Sequence, residues 1–412
     1  MFLKNINFNS SQDYLHMERY INVGSPSGFT DKYTTSIITT PKGKYENFYL
    51  CGINFPDKTY IKEFGKDPNI FIEWQMLVHP DMVFNPLNND FFSKSIEIEL
   101  KAVKVAPLAS SRTVKVLNDE GWFIKLHYDG LIGRVNRKLG IDHALSAIEV
   151  SSYIVKAIDS HILPNYFFIK REPYARVANF KVGDKVYEYG MVYRESDIYP
   201  KISQKHYLIP AFSLFSIDET SPNDPTLLVQ LISKQTKKVE DYLFEDIISP
   251  VYESYFSLLL NLGLQLECHA QNTLFVIDKN FKILGMVAID AESIDKDISL
   301  MDEQGIKYNF QTLTYKCRYK ENYKYKIMHS FMFDFKLGEY LISPLIDEAH
   351  RNFPFNKRKL IEKIKEFNNS FIAKLPHDFF PEDGKWYKNS KRVHKKNGKQ
   401  KYIGKKYPKY RK

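Results

Sequence analysis

Polar and apolar residues alternate through most of Ser95–Ala106 (SIEIELKAVKVA), the period of two that a half-buried strand requires. The period returns in Gly121–Tyr128 (GWFIKLHY), where Trp122, Ile124, Leu126 and Tyr128 share one face and Phe123, Lys125 and His127 the other. Short β-branched and aromatic runs at Asn47–Phe55 and Tyr60–Phe64 make the first hundred residues strand-rich, and His79-Pro80 ends a further apolar run. Asn165–Arg171, Val186–Tyr193 and His206–Ser216 form a second strand group, expected to be the sheet of a second subdomain that closes at Ser221–Asp224. Helical spacing appears in Ala144, Leu145, Ile148, Ile154 and Val155, after a glycine-bearing loop. A longer helical stretch runs from Pro225 to Asn261, with a break expected near Ser249-Pro250 because proline lacks the amide donor, and Gly263 suits the helix C-cap. Tyr323–Ile346 and Lys357–Leu375 read as a terminal helical layer.

At 412 residues the chain exceeds the ~250–300 residues at which single cores stop growing, so two or three subdomains are expected. A composition 43% hydrophobic and 15% aromatic supplies a sizeable core and excludes a disordered chain. Cys51, Cys268 and Cys317 form no CxxC pair, which argues against a disulfide framework or structural zinc and for a reducing cytoplasm. The N-terminus lacks a signal-peptide core, and the longest apolar run, Tyr255–Leu266, is interrupted by Asn261 and too short to span a bilayer. The net charge of +10 belongs to one segment. Residues 385–412 hold 13 Lys or Arg and no Asp or Glu, leaving 46 basic against 49 acidic residues elsewhere. Such a tail is expected to be solvated and disordered; binding of RNA, a membrane surface or an acidic partner is the alternative.

Candidate chemistry concentrates in Gly263–Asp278 (GLQLECHAQNTLFVID), where Glu267, His269, Gln271 and Asn272 fall within six residues between apolar elements. Imidazole, amide and carboxylate groups so placed suit a nucleotide–metal site, or else a turn whose side chains satisfy buried backbone. Ser110, Ser111, Arg112 and Thr113 occupy a turn between strands and carry groups that hold phosphate or carboxylate oxygens, although such residues also populate ordinary hairpin turns. Lys125 stands among apolar residues of a strand, as a phosphate-binding lysine or an edge lysine reaching water. Arg134 and Arg137 precede the helix at i and i+3, where they meet one anion or solvent. Asp290 ends an apolar strand and suits a metal ion; Glu292, Asp295 and Asp297 behind it read as a solvated acidic turn.

As a set, these segments resemble the IucA/IucC family, the siderophore synthetases independent of nonribosomal peptide synthetases. Val78–Pro80 is similar to its HPWQ element, with Asp81-Met82 replacing Trp-Gln; Ser110, Arg112 and Thr113 match S-x-R-T; and KLHYDGLIGRVNR matches K-L-x(10)-R at Lys125 and Arg137, with Gly133 where threonine is usual. Arg194-Glu195 resembles the LRE segment, ECHAQN resembles E-x-H-x-Q-N, and Ile289-Asp290 resembles RD with isoleucine for arginine. The resemblance covers roughly residues 70–350. The early GHPxHPxxK element is not found, and family members are commonly longer on the N-terminal side, which leaves substrate choice and oligomer contacts open.

The resemblance implies an α+β fold of fingers, palm and thumb, with mixed antiparallel sheets and a helical C-terminal layer. Residues 1–94 would be a shortened thumb-like region, 95–224 fingers-like and ATP-binding, 225–384 palm-like and catalytic, and 385–412 the basic tail. It further implies that ATP and Mg²⁺ serve adenylation of a carboxylic acid, citrate or a derivative, which then condenses with an amine or alcohol. Ser110, Arg112, Thr113, Lys125, Gln271 and Asn272 would bind the nucleotide; Asn272, Asp290 and Glu267 the metal; and Lys125, His269 and Arg137 would carry catalysis, the last two orienting the carboxylate. A homodimer is a further expected partner, and nucleic acid only through the tail.

Two alternatives remain at this stage. In an aminoglycoside-kinase-like reading the position two after His269 must be an aspartate, but Gln271 is an amide and no base. In the other, the chain is a nonenzymatic, degenerate synthetase that binds through its tail.

Overall fold

The computed structural model describes residues 3, 12–22, 45–119, 121–132, 135–312, 316–318, 328–381 and 408–411. Within them the strands are β1 (Phe48–Asn54), β2 (Ile61–Gly65), β3 (Met76–Val78), β4 (Glu97–Pro107), β5 (Thr113–Val116), β6 (Trp122–Leu126), β7 (Tyr128–Ile132), β8 (Val135–Arg137) and β9 (Phe167–Ile169). They continue as β10 (Tyr174–Val182), β11 (Lys185–Glu195), β12 (His206–Pro210), β13 (Leu264–Gln265), β14 (Thr273–Asp278), β15 (Ile283–Ala288), β16 (Asp295–Asp297) and β17 (Lys316–Cys317). Among the described residues, one antiparallel sheet has the order β2-β10-β11-β6-β5-β4-β1-β3, and a smaller mixed sheet the order β12-β14-β15-β9. Strands from either side of residue 94 thus share one sheet. The two alternating segments are β4 and β6, and Ile124 and Leu126 enter the core of the large sheet with Leu50, Val105 and Tyr193.

The second strand group does not form one sheet. Phe167–Ile169 and His206–Pro210 join the small sheet, whereas Lys185–Glu195 joins the large one through a hairpin with Tyr174–Val182. The cause is local. Arg171-Glu172-Pro173 carries the chain from one sheet to the other, and the two-residue turn Gly183-Asp184, with Gly183 at φ +59°, returns it along β10. His206–Ser216 likewise splits into β12 and the short helix Ala211–Phe215.

Ser249-Pro250 does not break a helix. Val239–Tyr242, Leu243–Ile248 and Ser249–Leu262 are continuous, and the middle piece winds as a π-helix. The wider i→i+5 turn removes the need for the amide that proline lacks and relieves the clash of its ring with the preceding turn. The same Ile-Ser-Pro sequence recurs at Ile342-Ser343-Pro344, again after a π-helix, Phe331–Ile342, which continues as Ser343–Asn352. The interruption falls instead between Leu227–Ile232 and Val239. Gly263 caps the long helix with φ +63°, as expected.

The C-terminal helical layer, Phe331–Asn352 with Lys357–Ile372, covers the core cluster that the small sheet shares with the Ser249–Leu262 helix. Residues 323–327, 385–407 and 412 of the expected layer and tail lie outside the described residues, as do Gly133 and Arg134. Lys409–Arg411, within the segment expected to be solvated, are packed instead. Tyr410 is buried, and Arg411 makes a two-pronged pair with buried Asp334 at 2.9–3.1 Å. No helix among the described residues is long and apolar enough to cross a membrane.

Candidate functional site

The site lies where one face of the large sheet meets the ends of the small one. Side chains of β6 alternate, so Ile124 and Leu126 pack into the core while Lys125 points the opposite way, paired across the sheet with Thr113 of β5 and Val192 of β11. One row further, Phe123 stands opposite Arg194. The β4–β5 turn is closed from within: Ser111 has φ +63°, and Ser110 Oγ accepts the Thr113 N–H at 3.3 Å. Behind it, the helix Gln12–Tyr20 brings Glu18 to accept the Ala109 N–H at 3.0 Å. Arg112 donates to the Arg137 carbonyl at 3.0 Å and lies 3.8 Å from Glu292. Arg137 ends β8, ahead of the helix Ile141–Asp159.

From the small sheet, β15 runs through Ile289 into Asp290, whose φ of +70° belongs to the left-handed region that a short polar side chain tolerates. Ser293 stabilises the turn by donating its hydroxyl to the Asp290 carbonyl at 2.8 Å. The Asp290 carboxylate then accepts from Lys125 Nζ and, at 3.1 Å, from Arg194. Lys125 also donates to Glu292 at 2.5 Å, and Arg194 makes two bonds to Glu172 at 2.6 and 2.9 Å. Burial opposes ionisation of Asp290, but Lys125, Arg194 and Arg112 outweigh it and hold the carboxyl well below its ordinary range. Glu292 is lowered in the same way by Lys125 and Arg112. Burial likewise works against the Arg194 charge, and Glu172 with Asp290 overcomes it, so its pKa is raised.

The loop after β13 supplies the other side. His269 Nδ1 accepts the Gln271 N–H at 3.2 Å, which assigns the ring proton of the neutral imidazole to Nε2. That nitrogen lies 3.8 Å from Glu267, and burial together with Lys336 pushes the His269 pKa down to about 4, so the ring is neutral at pH 7. Glu267 receives Lys336 Nζ at 2.6 Å and the Asn272 amide at 3.4 Å. Burial favours its neutral form, but Lys336 and His269 prevail and lower its pKa.

Of the residues read from the sequence, Arg112, Thr113, Lys125, Arg137, Glu267, His269, Asn272 and Asp290 surround this meeting of the sheets. Ser110 spends its hydroxyl on its own turn, and Gln271 acts through its backbone. Ile289 packs with the apolar cluster around Leu274 and Val287, against Phe168. Sequence reading missed Glu172 and Lys336 and misjudged the acidic turn. Glu292 and Asp295 are 5% exposed and Asp297 is wholly buried, its carboxylate 2.6 Å from His329. Glu172 carried one signal, a charged Lys-Arg-Glu run directly after a buried strand; Lys336 carried another, as a lone cation in FMFDFKLGEYLI.

Among the described residues no group of three His, Cys, Asp or Glu is placed to hold a metal ion. The donor set still suits Mg²⁺, which usually takes one or two carboxylates and leaves its other positions to phosphate and water. Asp290 and Glu292 converge on a single ammonium, so two carboxylates lie within reach of one cation. Chemically the site offers guanidinium and ammonium groups to a polyanion, a carboxylate pair to a cation, and an uncharged N–H donor beside them.

No protein-family model and no curated protein matches the chain. Solved structures do. The petrobactin biosynthesis protein AsbB of Bacillus anthracis str. Sterne superposes with a TM-score of 0.66 at 13% identity, over 88% of this chain and 68% of its own. ATP-bound aerobactin synthetase IucA of Klebsiella pneumoniae gives 0.64 at 12% identity over 90% and 73%, and aerobactin synthetase IucC of the same organism 0.61 at 13% over 82% and 64%.

Proposed function

We propose that this chain, which has the fold of the siderophore synthetases AsbB, IucA and IucC, is an ATP-dependent ligase that adenylates a carboxylic acid and joins it to an amine or alcohol. Citrate or a citrate derivative is the proposed acid, and siderophore assembly the proposed context. The observation that carries this reading is the convergence of Lys125, Arg112 and Arg194 on Asp290 and Glu292, beside a neutral His269 followed by Gln271. A triphosphate competes with those carboxylates for the same cations. At the position where a kinase needs a carboxylate base, the amide of Gln271 accepts no proton.

In the first step an oxygen of the substrate carboxylate attacks the α-phosphorus, and the bond to pyrophosphate breaks with its electron pair leaving on pyrophosphate. In the second, the amine nitrogen or alcohol oxygen attacks the acyl carbon, the carbon–oxygen bond to AMP breaks, and the nucleophile's proton passes to solvent. Arg112, Thr113 and Lys125 hold the phosphates, and Arg137 with the His269 Nε2–H holds the carboxylate in line for attack. Asp290 and Glu292, with Asn272 nearby, would hold Mg²⁺, which when bound neutralises phosphate charge. Glu267, grouped with them by sequence, is occupied by Lys336.

The test is to incubate the protein with MgATP, citrate and a panel of amines and to identify the nucleotide product by chromatography. Carboxylate-dependent AMP is expected. ADP would overturn the reading in favour of a kinase, and an absence of turnover with every acid would leave a binding protein.

A further inference from the structure

We infer that Glu267 is the docking point for an ammonium group on the amine co-substrate, and that Lys336 is its resident competitor and so sets the preference among amines. This rests on the ligase reading above and concerns its second step.

Accessibility separates the carboxylates of the site. The Glu172 and Glu292 side chains are buried, so neither can receive an incoming group without rebuilding the interior. Asp290 reaches solvent at 21%, yet it already faces two cations, Lys125 and Arg194. Glu267, at 20%, has among the described residues Lys336 as its cation at hydrogen-bond distance, with Arg137 near enough to interact through its charge, and Lys336 is itself 17% exposed. An ammonium arriving from solvent meets repulsion from Lys125, Arg112 and Arg194 and finds in Glu267 the reachable carboxylate that none of these three holds.

Lys336 is built to yield. It comes from the C-terminal layer, not from either sheet, and its charge sits on a flexible four-carbon stem. It lies within the π-helical Phe331–Ile342, whose wider turn places residues five apart near one face. Its ammonium is accordingly also 5.3 Å from the Phe331 ring, a contact it can keep when Glu267 is taken. In the present structure Lys336 thus occupies Glu267 as the primary ammonium of a substrate would. The location is also suitable, because Glu267 Oε1 is 3.8 Å from His269 Nε2, so a group docked there adjoins the proposed carboxylate position. The docked ammonium remains protonated, and the attacking nitrogen is a different, neutral one on the same molecule.

The experiment compares 1,4-diaminobutane with butylamine as nucleophiles, using AMP release from MgATP and citrate. The readout is the ratio of their kcat/KM values, in which the shared adenylation step and the fraction of folded enzyme cancel. E267Q is expected to lower the ratio about tenfold, the loss of one charge-assisted hydrogen bond, and K336M to raise it several-fold. Ratios unchanged in both variants, with AMP still formed, would overturn the inference and leave the ligase reading standing. Failure of the unmodified protein to form AMP with any acid would instead remove the ligase reading itself.

Discussion

Arg194 with Glu172 and Lys336 with Glu267 are both cation–carboxylate pairs at contact distance, but the first is 5% and 0% exposed and the second 17% and 20%. The first joins β11 to the crossing between the sheets and continues through Asp290 to Lys125, so it fixes the frame against which phosphates would be aligned. The second joins a loop to a separate helical layer, and both of its side chains are half-buried. Depth decides what each pair is for. A buried pair is costly to break and therefore positions; a half-buried pair that solvent reaches contributes less to stability and is more readily exchanged.

Substitutions that strand a buried charge have the largest expected effect. Glu172→Ala leaves Arg194 with Asp290 alone in the interior and should destabilise by about 3–5 kcal/mol, read as a lowered denaturant midpoint at constant slope. A loss below about 1 kcal/mol would show that water reaches Arg194 and that the contrast fails. Lys125→Met removes the cation on which two carboxylates converge, and the proposed AMP-forming activity should fall by about 100-fold or more, a loss of the size seen when a transition-state donor is removed.

A smaller effect is expected at Asp295, whose pKa is raised well above the ordinary value by burial and by Glu267 and Asp297. An acid with a raised folded-state pKa is fully accommodated below its unfolded value, about 3.9, and costs stability as pH rises from there towards the folded value. Asp295→Asn should therefore raise the Tm at pH 7–8, by roughly 1 kcal/mol or more in stability, with the gain disappearing as pH approaches 4. A gain of equal size at both pH values would contradict the assignment. Lys336→Met completes the series: its stability change should stay within about 1 kcal/mol in urea unfolding despite the removed ion pair. A loss as large as that of Glu172→Ala would place Lys336 in the frame.

Much of the frame was legible because strand periodicity is local. The face of β6 that carries Lys125 follows from alternation alone, and β4, the Gly263 cap and the Ile141–Asp159 helix follow from equally short-range patterns. What escaped depends on contacts distant in sequence. Glu172 gains meaning only when Arg194 stands opposite it, and Glu292 reads as a solvated acid until Lys125, 167 residues away, is placed upon it. Tyr174–Val182 shows no alternation that separates it from its surroundings, so the second strand group reads as one sheet until the Gly183-Asp184 turn pairs that strand with Lys185–Glu195. The two Ile-Ser-Pro sequences mislead for a different reason: proline forbids the α-helical bond, and the chain answers by widening the helix rather than ending it.

The central claim, that a carboxylate attacks the α-phosphorus of ATP at this meeting of two sheets, is tested most directly with citrate carrying ¹⁸O in its carboxylates. During turnover with MgATP and an amine, the oxygen that attacks phosphorus stays on it when the acyl–oxygen bond breaks. The account predicts one ¹⁸O atom in AMP and none in pyrophosphate. Label in inorganic phosphate with unlabelled ADP would contradict it.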